Sequence, residues 1–251
     1  MFSLKGKIAL VTGGGGGIGQ AIALALAQAG ADVAVVTHNN SPNETRDLVL
    51  NSGARFSAFA EDLSHLDTAG MTALLEQIKH ELGNVDILVN NAGIIRRTDA
   101  KDFLEDDWTA VMDLNINAVW RLTQACARGM LERHEGKIIN IASLLSFQGG
   151  VRVPAYTASK HAIAGLTKAL ANEWASRGIN VNAIAPGYIA TDNTQALRDD
   201  PVRAKSILER IPAGRWGNPE DLAGAAVFLA SRASNYVNGH VLVVDGGWLA
   251  R

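Results

Sequence analysis

The stretch Lys7-Ile8-Ala9-Leu10-Val11-Thr12-Gly13-Gly14-Gly15-Gly16-Gly17-Ile18-Gly19 decides how this chain folds. It opens as an apolar run of strand length, turns through glycine, and enters an alanine- and leucine-rich helical segment from Gln20 to Gln28. A strand, a glycine turn and a helix N-terminus together form a cradle for phosphate. Missing side chains let the backbone approach a pyrophosphate, while unpaired amides and the helix dipole favour its negative charge. A Walker loop is excluded because Gln20 stands where lysine and a hydroxyl residue are required. The run satisfies two patterns. Gly14, Gly16 and Gly19 fit G-x-G-x-x-G, whereas Thr12 with Gly13, Gly17 and Gly19 fits T-G-x-x-x-G-x-G.

Outward from this turn, strand-like and helical segments alternate. The strands expected are Ile8–Thr12, Val33–Thr37, Phe56–Ala60, Ile87–Asn90, Lys137–Ala142, Asn180–Ile184 and Val241–Val244. Several are apolar throughout, the pattern of strands covered on both faces of a parallel sheet. Met71, Leu74, Leu75, Ile78 and Leu82 recur at the helical period, with Glu76, Lys79 and Glu81 on other faces. The order predicts a single-domain Rossmann fold over residues 1–251: a doubly wound, seven-stranded parallel sheet with helices on both faces, its ligand site at the carboxyl ends of the strands. Residues 188–212 are polar and carry no strand signal, so they read either as a substrate lid or as a long helical connection.

Composition narrows the function. With 23 basic and 25 acidic residues the net charge is −2, which offers no footprint for nucleic acid. The single cysteine, Cys126, forms no intrachain disulfide, and a reducing compartment suits it. The longest apolar stretch, Ala21 to Ala27, is far below the roughly 18 residues of a membrane span. The expectation is a cytoplasmic protein with no membrane partner. The six histidines show no metal-ligand spacing, so no metal site is expected, and the lack of G-x-S-x-G argues against a serine hydrolase.

A second constellation lies downstream. Tyr156 and Lys160 are four residues apart, which stacks a phenol and an ammonium on one helix face. A nearby cation stabilises phenolate and brings proton exchange within reach of neutral pH. Ser143 ends the fifth expected strand and delivers a hydroxyl to the same edge of the sheet. About twenty residues after the glycine turn, NAD-binding chains place an acid against the ribose 2′-hydroxyl. Here the strand ends in Thr37 and His38, which neither repel a 2′-phosphate nor supply an arginine for it, so NAD and NADP stay open, NAD by a small margin.

Thr12 with Gly13, Gly17 and Gly19, then Asn90-Asn91-Ala92-Gly93, Asn115, Ser143, Tyr156 and Lys160, follow one another in an order that resembles the classical short-chain dehydrogenase/reductase family over essentially the whole chain. Pro186-Gly187 and Val244-Asp245-Gly246-Gly247 fit as well. The resemblance implies an NAD(P)-dependent oxidoreductase. Tyr156 would be the general acid/base, Lys160 would hold the nicotinamide ribose and depress the Tyr156 pKa, Ser143 would orient the substrate oxygen, and Asn115 would position a relay water. It further implies cofactor contacts from Ile18, Asn91 and Gly93, from Asp62 and Leu63 near the adenine, and from Pro186, Gly187, Ile189 and Thr191 toward the carboxamide. It also implies a homotetramer.

Stretches such as Ile94-Ile95-Arg96-Arg97 and Ser146–Pro154 are similar to a branch of that family acting on keto-deoxy sugar acids of the 2-dehydro-3-deoxy-D-gluconate type, in uronate degradation. Arg96 and Arg152 each follow a strand end, and an arginine fork suits a carboxylate; Gln148 and Asn193 could meet hydroxyls. The alternatives within the family are a gluconate 5-dehydrogenase or a 3-oxoacyl-carrier reductase. Outside enzymes, the alternative is a dinucleotide sensor or scaffold, against which the complete Asn115, Ser143, Tyr156 and Lys160 set speaks.

Overall fold

Seven parallel strands run in the spatial order β3-β2-β1-β4-β5-β6-β7 in a computed structural model that describes residues 1–251. They are β1 (Ile8–Thr12), β2 (Asp32–Thr37), β3 (Phe56–Ala60), β4 (Ile87–Asn90), β5 (Gly136–Ile141), β6 (Ile179–Pro186) and β7 (Val241–Val244). The sheet is the doubly wound Rossmann-type arrangement expected. Strand limits moved by a residue or two where a neighbour's ladder sets them. Gly136 pairs with Ile179, and Ala185 and Pro186 continue β6 because Val243 and Val244 lie beside them.

The helices are α1 (Gly17–Gln28), α2 (Asn43–Asn51), α3 (Thr68–Glu81), α4 (Glu105–Met112), α5 (Val119–Arg133), α6 (Pro154–Trp174), α7 (Asp192–Arg198), α8 (Pro201–Arg210) and α9 (Ala223–Ala230). Side chains on a strand alternate between faces, and both faces here are apolar. Leu10 and Leu88 enter a layer with Met71, Ile78, Leu122 and Met130. Ala9, Val11, Ile87 and Val89 enter the opposite layer with Ile22, Leu26 and Leu229. That double burial is why the central strands read as unbroken apolar runs. Each such leucine or valine contributes about 1.5–3 kcal/mol by leaving water.

The chain turns from β1 toward β2 on one side and from β4 toward β5 on the other, so a crevice opens between β1 and β4 at their carboxyl ends. A buried polar chain fixes the strands that flank it. Asn90 Nδ2 donates to Thr123 Oγ1 and to Asn140 Oδ1, both at 2.9 Å, and Asn140 Nδ2 donates to Thr167 Oγ1 at 2.9 Å. These bonds tie β4 and β5 to α5 and α6. In a low dielectric a fully satisfied network of this kind holds one arrangement firmly.

Candidate active site

The crevice is built first from the glycine run. Gly13 and Gly17 adopt φ of +65° and +53°, which L side chains rarely take. Gly19 is needed for space instead: a Cβ there would lie 2.1 Å from the Gly13 carbonyl oxygen and 2.6 Å from Asn91 Nδ2. A Cβ on Gly16 would meet nothing nearer than 4.0 Å. The structure thus requires Gly13, Gly17 and Gly19 of one spacing, and of the other it requires Gly14, whose Cβ would lie 2.6 Å from Val35 Cγ1, but not Gly16. Gly16 caps α1 without any side-chain acceptor, leaving the first helical amides turned toward the crevice. Such a cradle, with its dipole and its missing side chains, fits a dinucleotide pyrophosphate.

Thr12 is buried beneath this turn. Its hydroxyl accepts from the amides of Asn91 at 3.0 Å and Ala92 at 2.9 Å. Asn91 Nδ2 donates back to the carbonyls of Thr12 at 2.9 Å and Gly13 at 3.2 Å. Thr12 thus clamps the two loops of the crevice together rather than facing into it.

A cleft of about 350 Å³ runs from the glycine turn to Ser143, Tyr156 and Lys160. Asn91, Gly93, Pro186, Gly187, Ile189 and Thr191 line it, as does Asn193. Asn40 also lines it, a residue that carries no sequence signal and is delivered by the turn after β2. Thr37, His38, Asp62 and Leu63 do not line this cleft.

Asn115 lies in one π-helical turn, Asp113–Ala118, joining α4 to α5. Only 1% exposed, it accepts from the Ile94 amide at 2.9 Å and donates to the Ile94 carbonyl at 3.0 Å and to Ser159 Oγ at 3.2 Å. Ser143 stands two residues past β5 and caps a short turn, its Oγ accepting from the Leu145 amide at 3.1 Å. Ser146 Oγ, which donates to the Lys160 carbonyl at 2.6 Å, pins that turn to α6.

Tyr156 is set by competing effects. Burial pushes its hydroxyl above the ordinary phenol range, while hydrogen bonding with Ser143 and the charge of Arg97 pull it back. Lys160 lies against the Tyr156 ring. Its Nζ sits 5.5 Å from the tyrosine ring centroid and donates to the Ile141 carbonyl at 2.6 Å. Burial brings Lys160 down to about 8. Lys160 over the ring and the charge of Arg97 are the cations that bear on Tyr156.

Both arginines singled out in the sequence face elsewhere. Arg96 Nε lies 3.1 Å from Asp107 and Arg152 Nε lies 2.8 Å from Asp99, each on the exposed rim. Neither lines the cleft, because acidic partners, Asp107 and Asp99, hold the two side chains elsewhere. Successive residues of an extended segment point in opposite directions, and Arg97, also exposed, reaches a cleft-lining residue instead of an acid. Arg97 Nη2 donates to the Asn193 carbonyl at 2.8 Å and has no carboxylate within ion-pair distance. Gln148 is outside the cleft as well, its Oε1 accepting from Trp248 Nε1 at 3.4 Å. Along residues 188–212, α7 and α8 follow a short bridge in which Ala190 donates to the Gly217 carbonyl at 2.8 Å, and the start of α7 forms one wall of the cleft.

Comparison with known proteins adds a second line. The enoyl-(acyl carrier protein) reductase family profile matches residues 13–249. A 2-dehydro-3-deoxy-D-gluconate 5-dehydrogenase of Bacillus subtilis is 60% identical over 250 residues, covering 100% of this chain and 97% of its own. A crystal structure from Agrobacterium tumefaciens with bound NADP, assigned as a 2-deoxy-D-gluconate 3-dehydrogenase, is 57% identical with a TM-score of 0.92 and covers 100% and 99% of the two chains. Another with NADP at low occupancy, assigned as an NAD(P)-dependent gluconate 5-dehydrogenase from Beutenbergia cavernae, is 50% identical with a TM-score of 0.95, covering 100% and 99%.

Proposed function

The chain belongs to the short-chain dehydrogenase/reductase family, and from that premise we propose that it is an NAD(P)-dependent oxidoreductase of a keto-deoxy sugar acid of the 2-dehydro-3-deoxy-D-gluconate type. The observation that carries the reading is the convergence of Ser143, Tyr156 and Lys160 at one end of the glycine-cradled cleft, with Arg97 bonded to the Asn193 carbonyl at its wall. Identity of 60% with a relative named for that substrate supports the substrate class.

Each residue then has a task. Gly13, Gly17, Ile18 and Gly19 offer backbone to the pyrophosphate, and Asn91, Gly93, Pro186, Gly187, Ile189 and Thr191 flank the rest of the cofactor. The nicotinamide, when bound, supplies the hydride chemistry. Tyr156 gives its hydroxyl proton to the substrate carbonyl oxygen in reduction and takes it back in oxidation. Ser143 holds that oxygen in place. Lys160, anchored to the Ile141 carbonyl, is placed to hold the nicotinamide ribose and refill the tyrosine proton. Asn115 fixes the Ile94 carbonyl, against which a relay water can sit.

Arg97 takes the place foreseen for Arg96 and Arg152: it binds the substrate carboxylate, with Asn193 and the start of α7 closing over it as a lid. The reading extends to a cytoplasmic homotetramer. Leu104, Trp108 and Trp120, on and beside α4 and α5, are 65%, 40% and 39% exposed, which suits a covered subunit face. No helix is long and apolar enough to cross a membrane.

The test is steady-state turnover with NADH and NADPH on a keto-deoxy sugar acid and on an uncharged ketone. Arg97→Ala is expected to raise KM for the acid by roughly 30-fold or more, as for loss of a charge-assisted pair of about 2–3 kcal/mol, and to leave KM for the ketone nearly unchanged. Arg152→Ala is expected to leave both unchanged. Equal losses on both substrates in the Arg97 variant would remove the carboxylate assignment, and no turnover of any sugar acid would remove the function.

A further inference from the structure

At the outer rim of the crevice, where the turn after β2 meets the segment after β3, stands a cluster that the proposed chemistry leaves idle. His38 places Nδ1 3.2 Å from Asp62 Oδ2, and His65 places Nδ1 3.0 Å from the same oxygen. Ser64 holds the other oxygen, Oδ1, donating from its amide at 3.0 Å and from its hydroxyl at 2.6 Å. Burial pushes the Asp62 carboxyl up, but the Ser64 bonds and the two imidazoles outweigh it and leave Asp62 below the usual carboxylate range. Asp62 is therefore charged across the pH range in which histidine titrates.

Its place in the fold gives the cluster a ligand. The turn after β2 rises beside the glycine run: a Cβ on Gly15 would meet Thr37 at 3.0 Å and Asn40 at 3.2 Å. With a pyrophosphate on that run, the adenosine ribose 2′-position falls at the end of the second strand of this fold, where Thr37 and His38 stand. Other charges on the adjoining segments are Glu61, next to Asp62, Asp67 at the start of α3, and Glu44, Arg46 and Asp47 in α2, the last two paired with each other. Neither the glycine turn nor Asn39–Pro42 carries any charge.

We infer that the His38–Asp62–His65 cluster is a pH-dependent selector between NADP and NAD, an assignment that rests on the cofactor cleft proposed above. With both imidazoles neutral, the cluster carries the single negative charge of Asp62 and repels a 2′-phosphate. With both protonated it carries a net positive charge and attracts one. The uncharged 2′-hydroxyl of NAD is indifferent to the sign. Lower pH therefore favours NADP, and higher pH brings NAD level or ahead.

The experiment measures Kd for NADPH and for NADH by fluorescence titration of the full-length protein from pH 5.5 to 8.5. The ratio Kd(NADH)/Kd(NADPH) is expected to rise about tenfold from the alkaline to the acid end, the effect of two charges on a phosphate at several ångströms in a water-like dielectric. The 2′-phosphate gains its own second proton near pH 6, which affects every variant alike, so slopes are compared between proteins. His38→Gln and His65→Gln are each expected to reduce the slope by about half; both side chains are largely exposed, at 52% and 84%, and the fold does not depend on them. Asp62→Asn is expected to shift the ratio toward NADPH at every pH. A ratio that ignores pH in the unmodified protein, or a His38→Gln slope equal to the native one, overturns the selector while leaving the cleft intact. If neither nucleotide binds at any pH, the cleft and the selector fall together.

Discussion

Replacing Gly19 by alanine tests whether the glycine run is a built cradle or a permissive linker. The added Cβ would lie 2.1 Å from the Gly13 carbonyl oxygen, 2.8 Å from its carbon and 2.6 Å from Asn91 Nδ2. Ordinary contact begins near 3.4 Å, so backbone has to move by more than an ångström, and no flexible side-chain end can yield instead. Overpacking of this kind costs about 1–3 kcal/mol. The displaced Asn91 amide loses its bonds to the Thr12 and Gly13 carbonyls, worth about 1 kcal/mol each. Alanine returns up to about 1 kcal/mol through its better helix propensity. The net loss is about 3 kcal/mol, or roughly 6–12 °C in Tm for a chain of this size. Gly16→Ala is the internal control: its Cβ meets nothing closer than 4.0 Å, so its Tm is expected to fall by no more than about 2 °C, the cost of a poorer N-cap. Thermal unfolding by circular dichroism gives both values, and titration with NADPH shows whether the moved backbone also weakens binding. Equal Tm values for the two variants would refute the reasoning, because close packing at Gly19 would then not matter.

Three further outcomes follow from the site. Tyr156→Phe is expected to lower kcat/KM by about 10²–10⁴-fold while nucleotide binding persists, and unchanged turnover would exclude Tyr156 as the proton donor. Asn115→Ala strands the Ile94 amide and carbonyl; urea unfolding should show a loss of about 3 kcal/mol, with faster hydrogen exchange at Ile94, and neither change would be seen if the π-helical turn were merely a connector. Burial holds Lys160 near 8, whereas an unfolded lysine titrates near 10.4, so the folded chain binds fewer protons between these values. Its burial therefore costs stability below pH 8, and the cost is relieved as pH rises from about 8 to 10.4. Relative to Lys160→Met, the native protein should gain about 3 kcal/mol across that window. A constant difference between the two would mean that Lys160 is not buried as a charged group.

The sequence by itself determined the sheet, because its signals are local. Apolar runs of strand length, the helical recurrence of Met71, Leu74 and Ile78, and the glycine turn after Thr12 act over a few residues, and each met the same physics in the folded chain. It also named Ser143, Tyr156 and Lys160, since four-residue spacing on a helix and a strand end at the sheet edge bring them to one place. Side-chain direction on irregular segments is not local. Arg96 and Arg152 pair with Asp107 and Asp99 on the rim, while Arg97, next to Arg96 in sequence, bonds to the Asn193 carbonyl. Which of the six glycines between Gly13 and Gly19 are indispensable was equally beyond the sequence. The answer lies in the distance from Gly19 to a carbonyl six residues earlier and to Asn91 across the crevice. Tertiary structure decided these points because a long side chain or a tight backbone approach is settled by partners that the chain brings near only once it has folded.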